Sequence, residues 1–339
     1  MSIIISILIF SIVILIHEFG HFVTAKLSGV KVNEFSIGMG PRLCGVKKGD
    51  TEYNIRVFPI GGFVAMEGED EDSDSEGSFN SVPVQSRIAV VVAGAFNNIL
   101  LGFFVLCVMN NMQGAITSKT VSSFYDGAMT QKTGLRVNDE IVAINGRKCY
   151  VADDIIYEFA RTENEKADFT VIRDGKKVEL KDVTFDTYVG EDGVKQLVLD
   201  FTVYPIQKTV PNIAKESLNG TVSIARLVFL SLVDMVSGRV ELNNMSGPVG
   251  VVSTISEVAS YGIEPVLYIV ALITINLGVF NLIPFPALDG GRLVFLLYEL
   301  VMKKPINEKY QIALNLAGMV ALLGFMAVVT FSDISKIFF

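Results

Sequence analysis

The sequence contains little histidine and little charge. It has two histidines, no tryptophan and three cysteines (Cys44, Cys107 and Cys149) in 339 residues. The scatter of the cysteines excludes a disulfide scaffold and the usual cysteine metal motifs. Charged residues make up 19% of the chain, below the roughly 25% of soluble domains, whereas 50% are hydrophobic and the mean hydropathy is +0.48. This composition excludes a disordered chain, and the net charge of −8 argues against a nucleic-acid partner.

The apolar residues are concentrated in four blocks, each long enough for the roughly 20 residues that cross a bilayer. The blocks are residues 2–25, 88–110, 266–288 and 310–332. Only the first carries an acidic or basic residue, Glu18. Buried core helices are the alternative, but four such blocks favour membrane spans. The first block lacks the basic start and small-residue cleavage pattern of a signal peptide, so we expect a retained span.

Basic residues are abundant in the loops that follow the first and third blocks. The positive-inside rule places both loops in the cytoplasm, and both termini and the region between the second and third blocks outside. The first loop predicts strands at 32–37 and 52–58, joined by a turn at Gly49-Asp50. Its glycine-rich segment 59–66 either dips into the membrane or packs under the loop. We expect the acidic run 67–76 to be a solvated, flexible tip.

The region between the second and third blocks has the composition of a soluble domain. Strands are predicted at 140–144 and 167–172, and a helix at 153–160. Residues 211–236 predict an amphipathic helix that lies on the membrane or covers the membrane core. The fold class that follows is a polytopic α-helical membrane protein with four transmembrane helices, a β-rich loop and an inserted α+β domain.

Both histidines belong to one motif, His17-Glu18-Phe19-Gly20-His21, which is HExxH. Residues four apart lie on the same face of a helix, so both imidazoles can bind one zinc ion. Glu18 can then hold the attacking water and take its proton. Two core histidines beside a stray glutamate are the alternative. Burying an ionisable residue about 22 Å along an apolar helix is unfavourable in free energy, however, which favours a functional site.

A catalytic zinc site needs a third protein ligand. No other histidine exists, so we expect a carboxylate, and Asp289 at the end of the third block reaches the same membrane depth as His17 and His21. Asp289 is also in position to cap a helix that starts at Gly290, and the two roles are compatible. Pro284 interrupts the third block, as does Pro286, and a broken helix at membrane depth requires a protein-lined or water-filled cavity.

Two asparagines in the apolar blocks have two possible roles each. The amide of Asn281, just before the break, can bind a substrate carbonyl or form an interhelical hydrogen bond. The same two roles apply to Asn98 in the second block. The sequence leaves both pairs of roles open.

HEFGH together with Asn281-Leu-Ile-Pro284-Phe-Pro286-Ala-Leu288-Asp289-Gly290 resembles the site-2 proteases, the intramembrane zinc metalloproteases, over nearly the whole chain. The nearest resemblance is to the bacterial branch with one PDZ domain, the type that regulates sigma factors. Segment 59–66 resembles the membrane-associated β-hairpin of the family, and segment 246–250 resembles another family element. The inserted region resembles a PDZ domain through Ala128, Gly134-Leu135, Asp139, Ile141 and Asn145-Gly146. Asn138 and Ala95 depart from the glycine and proline that the family often has.

The resemblance implies a role for each matching position. His17, His21 and Asp289 would hold zinc, Glu18 would be general base and then acid, and Asn281 would position the substrate. We expect Gly61, Gly62 and Asn98 to contribute to substrate binding, with Gly61 and Gly62 pairing an extended substrate by β-addition. Substrates would be single-span membrane proteins such as anti-sigma factors or signal-peptide remnants. The PDZ domain is expected to filter substrates by size, since no clear carboxylate-binding loop is visible near Ser118.

The predicted organisation assigns each part of the chain to one side of a bacterial plasma membrane. The PDZ domain is extracytoplasmic, and the active site is directed toward the cytoplasm. The segments are 1–27 (span one), 28–87 (cytoplasmic β-rich loop), 88–110 (span two), 118–204 (PDZ domain), 205–265 (amphipathic linker), 266–302 (span three) and 309–332 (span four). A metal transporter and a catalytically inactive scaffold that displays a PDZ domain are the competing functional classes.

Overall fold

The computed structural model describes residues 2–69, 75–162, 165–189, 195–238 and 247–338. Within it the chain forms two compact units, residues 1–105 with 227–339, and residues 106–226. Part of the predicted acidic tip, residues 70–74, and Ser246 of the 246–250 element lie outside the described residues.

The helices follow the apolar blocks closely. They are α1 (Ser2–Leu27), α2 (Val84–Met112), α3 (Met129–Lys132), α4 (Ala152–Ala160), α5 (Val210–Val236), α6 (Pro248–Val258), α7 (Ile263–Asn281), α8 (Asp289–Met302) and α9 (Glu308–Phe338). By length and composition, α1, α2, α5, α7 and α9 can each cross a membrane. Helices α1, α2 and α9 contain the first, second and fourth apolar blocks, and α7 covers the first part of the third. Helix α5, expected from the sequence as an amphipathic helix, is a fifth candidate.

The strands form three sheets among the described residues. They are β1 (Val32–Lys48), β2 (Thr51–Met66), β3 (Ile116–Phe124), β4 (Glu140–Ile144), β5 (Arg147–Lys148), β6 (Lys166–Arg173), β7 (Lys176–Thr184), β8 (Thr187–Val189), β9 (Lys195–Leu197) and β10 (Phe201–Ile206). Strands β1 and β2 form the sheet of the first unit, and β8 and β9 form a separate pair.

In the first unit, β2 returns along β1 and pairs with it twice. Phe35 of β1 pairs with Val64 near the end of β2 and also with Tyr53 near its start. The first part of β1 therefore lies between the two ends of β2, and residues 62–66 form one edge of this sheet. Glycine-rich segment 59–66 is thus strand, and its terminal Met66 packs into the buried cluster that contains Val32 and Val90.

The acidic run after β2 is only partly the solvated tip expected from the sequence. Asn33 Nδ2 donates to Glu67 Oε2 at 2.8 Å, and Glu69 pairs with Arg292 of α8. The side chain of Glu69 is 15% exposed. The described start of the run is therefore tied to β1 through Glu67 and to α8 through Glu69, because an amide donor and a cation lie there.

Helices α1 and α2 approach each other closely because glycine lies at the contact. A Cβ atom on Gly20 would come within 2.5 Å of the backbone oxygen of Ala93, and one on Gly94 would meet both histidine rings of α1. Small residues at a helix contact allow backbones to approach and pack without a hydrophobic driving force in lipid. This crossing brings the backbone of α2 against the HExxH turn.

The predicted third span, residues 266–302, covers two helices with a non-helical turn between them. Helix α7 ends at Asn281 and α8 begins at Asp289. Pro284 and Pro286 prevent continuous helical hydrogen bonding between these residues, and Ala287 has a φ of +76°. The break predicted from the prolines is confirmed, and it places Asp289 at a helix start.

In the second unit, the strand order is β10-β3-β4-β6-β7, with β5 paired to β4. Its core contains Leu135, Ile141, Ile144, Phe169 and Val171, each at most 1% exposed. The predicted helix at 153–160 and strands at 140–144 and 167–172 agree with α4, β4 and β6. Asn138 has a φ of +71°, in the left-handed region that glycine adopts without strain. Asparagine tolerates this region better than most residues, so it can replace a glycine here.

Helix α5 is tied to α4 by a buried polar network within the second unit. Asp154 of α4 is 0% exposed and accepts hydrogen bonds from Ser223 Oγ (2.5 Å) and Arg226 (3.1 Å) of α5. Arg226 also lies 3.5 Å from Glu158, whose side chain is 1% exposed. Burial, together with the charges of Asp154 and Glu158, raises the pKa of the neighbouring Cys149 thiol to about 12.

Candidate metal centre

Three ligand atoms from two distant parts of the chain converge on one point. His17 Nε2 lies 3.1 Å from Asp289 Oδ2 and 3.1 Å from His21 Nε2, and the remaining side of the triangle, His21 Nε2 to Asp289 Oδ2, is 3.3 Å. Both histidines are buried, at 7% and 8% exposure. Residues 17 and 21 share a face of α1, and the break between α7 and α8 brings Asp289 to the same face.

This triangle has the dimensions of a tetrahedral zinc site. With zinc–ligand distances of about 2.0–2.1 Å, the ligand atoms of a tetrahedral site lie about 3.3 Å apart. Asp289 Oδ2 is buried, and no described residue donates a well-aligned hydrogen bond to it. Two imidazole nitrogens and a carboxylate are also the donor types of catalytic zinc sites. The residues present therefore fit a zinc ion.

A backbone carbonyl orients the second histidine. His21 Nδ1 lies 2.8 Å from the backbone oxygen of Val90 in α2. A proton on Nδ1 makes that contact a hydrogen bond and leaves the lone pair of Nε2 directed at the metal site. The backbone of α2 thus fixes the ring of His21, and the close crossing at Gly94 makes this contact possible.

Glu18 lies beside the three ligand atoms and next to β2. Its carboxylate is close enough to His17, His21 and Asp289 to interact electrostatically with all of them. The position of a Cβ on Gly62 is 3.8 Å from Glu18 Cγ, so the edge segment of β2 passes over the general-base candidate. Ser11 Oγ, two turns earlier in α1, donates to the backbone oxygen of Pro59 and holds the same segment against the helix.

The two asparagines lie on different sides of His17. Asn281 Nδ2 is 3.4 Å from His17 Nε2, on the side of the ligand triangle. Asn98 Nδ2 is 3.4 Å from His17 Nδ1, on the opposite edge of the ring, and Asn98 is 0% exposed. Gly61 and Gly62 are both buried in β2. The predicted site residues therefore form one neighbourhood, and Asn98 is its innermost member.

Sequence reasoning missed two contributors to this neighbourhood. Gly94 faces the imidazoles, and its only sequence signal is the small-residue run from Ala93 to Ala95. Arg87, one of the basic residues between the first and second apolar blocks, donates to both carboxylate oxygens of Glu299 at 3.1 and 2.6 Å. It joins the start of α2 to α8. Such a partner 212 residues away leaves no trace in a single sequence.

Comparison with known proteins identifies the family. The model of peptidase family M50 matches residues 5–325. The chain belongs to peptidase family M50. It is a zinc metalloprotease of the site-2 type and a multi-pass membrane protein, as the sequence predicted.

Relatives of this M50 peptidase match it along its full length. One from Clostridium perfringens, whose name includes zinc metalloprotease, is 37% identical over 335 residues, 98% of each chain. One from Fusobacterium nucleatum, with the same words in its name, is 34% identical over 347 residues and all of both chains. The Regulator of sigma-W protease RasP of Bacillus subtilis is 28% identical over 415 residues, which covers 98% of this chain and 98% of its own.

Proposed function

We propose that this M50 peptidase is an intramembrane endopeptidase that cleaves single-span membrane proteins in or near their transmembrane segments. The observation that carries the proposal is the triangle of His17, His21 and Asp289, with Glu18 beside it. The histidines and Glu18 lie on α1, which is composed almost entirely of apolar residues, and Asp289 starts α8 just after the apolar helix α7. A hydrolytic centre built into such helices acts on peptide bonds that enter the membrane.

Each polar side chain at the centre has a distinct task in the proposed reaction. His17, His21 and Asp289 hold zinc, which supplies Lewis acidity toward water and the scissile carbonyl. Glu18 takes a proton from the attacking water and delivers it to the leaving amine. Asn281, 3.4 Å from His17 Nε2, is close enough to donate a hydrogen bond to the substrate carbonyl and so orient it.

The edge of the β1–β2 sheet provides a backbone template for the substrate. Residues 62–66 pair with β1 on one side, and no described strand pairs with their other side. A substrate segment that unwinds from helix to strand can add to this edge, which brings its backbone to Glu18. Because Gly61 and Gly62 lack side chains, the added strand can approach closely.

We infer four membrane spans, with α5 outside the membrane. The first 17 residues of α5 end at Arg226, which contacts Asp154 and Glu158 in the second unit. The ten residues that remain after Arg226 fall well short of the roughly 20 that cross a bilayer. Spans α1, α2, α7 and α9 then place both basic loops in the cytoplasm, the second unit outside and the zinc centre toward the cytoplasmic side.

The second unit is proposed to be a PDZ domain, residues 118–204, that restricts access by size. Its sheet and the helices α3 and α4 support this assignment. A relative is named a regulator of sigma-W protease, which favours anti-sigma factors as substrates, with signal-peptide remnants as a second class. Both classes are single-span proteins whose outer part is short once trimmed.

The test is cleavage of a tagged single-span substrate by the full chain and by Glu18→Gln in vesicles. We expect Glu18→Gln to lose at least about 100-fold in rate while it keeps its zinc, since the general base contributes about 10²–10⁴-fold. Glu264→Gln, an exposed carboxylate in the first turn of α7, is the matched control and should cleave normally. Undiminished cleavage by Glu18→Gln would refute the mechanism, and zinc uptake into vesicles would favour a transporter.

A further inference from the structure

Asn98 is enclosed between three helices. It lies on α2 at 0% exposure, its backbone oxygen accepts a hydrogen bond from Thr274 Oγ1 of α7 at 3.1 Å, and its side chain faces His17 of α1. An amide with no exposed surface has no face on which to bind substrate. Its burial therefore favours a role inside the protein over the predicted role in substrate binding.

The contact between Asn98 and His17 leaves one buried acceptor without a donor. Asn98 Nδ2 lies 3.4 Å from His17 Nδ1, whereas Asn98 Oδ1 is buried and has no hydrogen-bond partner among the described residues. His17 Nε2 faces Asp289 and His21, so Nδ1 carries the ring proton when Nε2 binds a metal. A protonated Nδ1 needs an acceptor, and the amide presents a donor.

A half-turn of the amide about χ2 resolves both problems at once. The oxygen and nitrogen of an asparagine amide exchange places with almost no change in shape. After the exchange, Oδ1 accepts from His17 Nδ1 at the same 3.4 Å separation, and Nδ2 takes the enclosed position that Oδ1 held. The exchange replaces a contact between two donors by a hydrogen bond, so it is the favoured arrangement when Nδ1 carries the ring proton.

We propose that Asn98 is a positioning residue that accepts a hydrogen bond from His17 Nδ1 and so fixes the tautomer and ring orientation with which His17 binds zinc. The proposal rests on the proposed roles of His17, His21 and Asp289 as zinc ligands. It gives His17 a side-chain counterpart to the backbone oxygen of Val90, which performs the same task for His21. Each histidine then has its own acceptor on α2.

Zinc affinity of the purified full chain in detergent, measured by competition with a fluorescent chelator, tests the proposal. We expect Asn98→Leu, which has a similar shape and no acceptor, to bind zinc 10- to 100-fold more weakly. Asn98→Asp keeps an acceptor and should stay within a few fold of the unmodified protein. Asn110→Leu is the matched control, because Asn110 is a buried asparagine of α2 that instead bonds Ser217, and its zinc affinity should be unchanged.

Unchanged affinity in folded Asn98→Leu, or equal losses in Asn98→Leu and Asn98→Asp, would overturn the proposal. If Asn98→Leu does not fold, nitrogen-15 NMR of the zinc-loaded, histidine-labelled protein decides. The chain has only two histidines, so four ring nitrogens are observed, and we expect His17 to carry its proton on Nδ1. A proton on Nε2 would overturn the proposal. These readouts do not use proteolysis, so failure of the proposed protease mechanism is separable.

Discussion

Gly94 offers the sharpest test of how the fold builds the zinc centre. A methyl group added at this position would lie 2.7 Å from His21 Cε1 and 2.8 Å from His17 Cε1, and it would also contact His21 Nε2, a proposed ligand atom. Ordinary carbon contacts begin near about 3.5 Å, so both rings would have to retreat by roughly 0.7–0.8 Å. Gly94→Ala therefore acts directly on the metal site.

The size of the effect follows from the tolerance of a zinc site. Metal–ligand distances in zinc sites depart from their usual values by only about 0.2 Å, which is several times less than the shift required of the two imidazole rings. We expect Gly94→Ala to bind zinc about 100-fold more weakly or not at all, with a similar loss of cleavage. The strain of an extra methyl in a packed contact adds about 1–3 kcal/mol of destabilisation.

Gly102→Ala separates the metal effect from general crowding. Gly102 lies on the same helix, and a methyl there would come within 2.8 Å of Ile275 Cδ1 of α7. The atoms nearest to that methyl belong to Ile275 and Thr274, neither of which is a proposed ligand. This variant should lower thermal stability to a comparable degree while its zinc content, measured by atomic absorption after desalting, stays stoichiometric. Full zinc occupancy in folded Gly94→Ala would refute the geometry inferred for the centre.

Two further predictions concern the second unit and the cysteines. Arg226→Met should destabilise the second unit to urea by about 3 kcal/mol, because buried Asp154 loses the cation that contacts it, whereas Glu158 keeps Arg147 at 3.3 Å. The exposed ion pair of Arg42 and Glu52 should contribute at most about 1 kcal/mol. Equal effects of removing Arg226 and Arg42 would argue against the network. Cys149 is buried and its thiol has a pKa of about 12, so it should resist alkylation at pH 8 in the folded protein. Exposed Cys44 should react within minutes under the same conditions. Rapid labelling of Cys149 would contradict its burial.

Local features of the chain made much of the fold predictable. Apolar blocks long enough to cross a bilayer predicted α1, α2, α7 and α9. Short runs rich in strand-forming residues, followed by turn dipeptides, predicted β4 and β6. Helix α5 was harder to place. Its composition suits both a span and a surface helix, and only the contact of Arg226 with α4 argues for the second.

The sequence by itself determined the chemistry of the proposed centre. The sequence has two histidines one helical turn apart with a glutamate between them, and an aspartate after a broken apolar block. These residues predict a zinc site and its proposed ligands. These signals survive in the sequence because residues on one helical turn are fixed relative to each other by backbone geometry alone.

Only the tertiary structure decided how that centre is supported. Three features depend on contacts between residues that lie 40 or more positions apart in the sequence. They are the close approach of α1 and α2 at Gly94, the edge of β2 above Glu18, and the side of His17 on which Asn98 lies. Such contacts are set by packing among whole helices and strands, which the local pattern of any one segment does not encode. The sequence therefore specifies which atoms can bind the metal, and packing specifies what holds them in place.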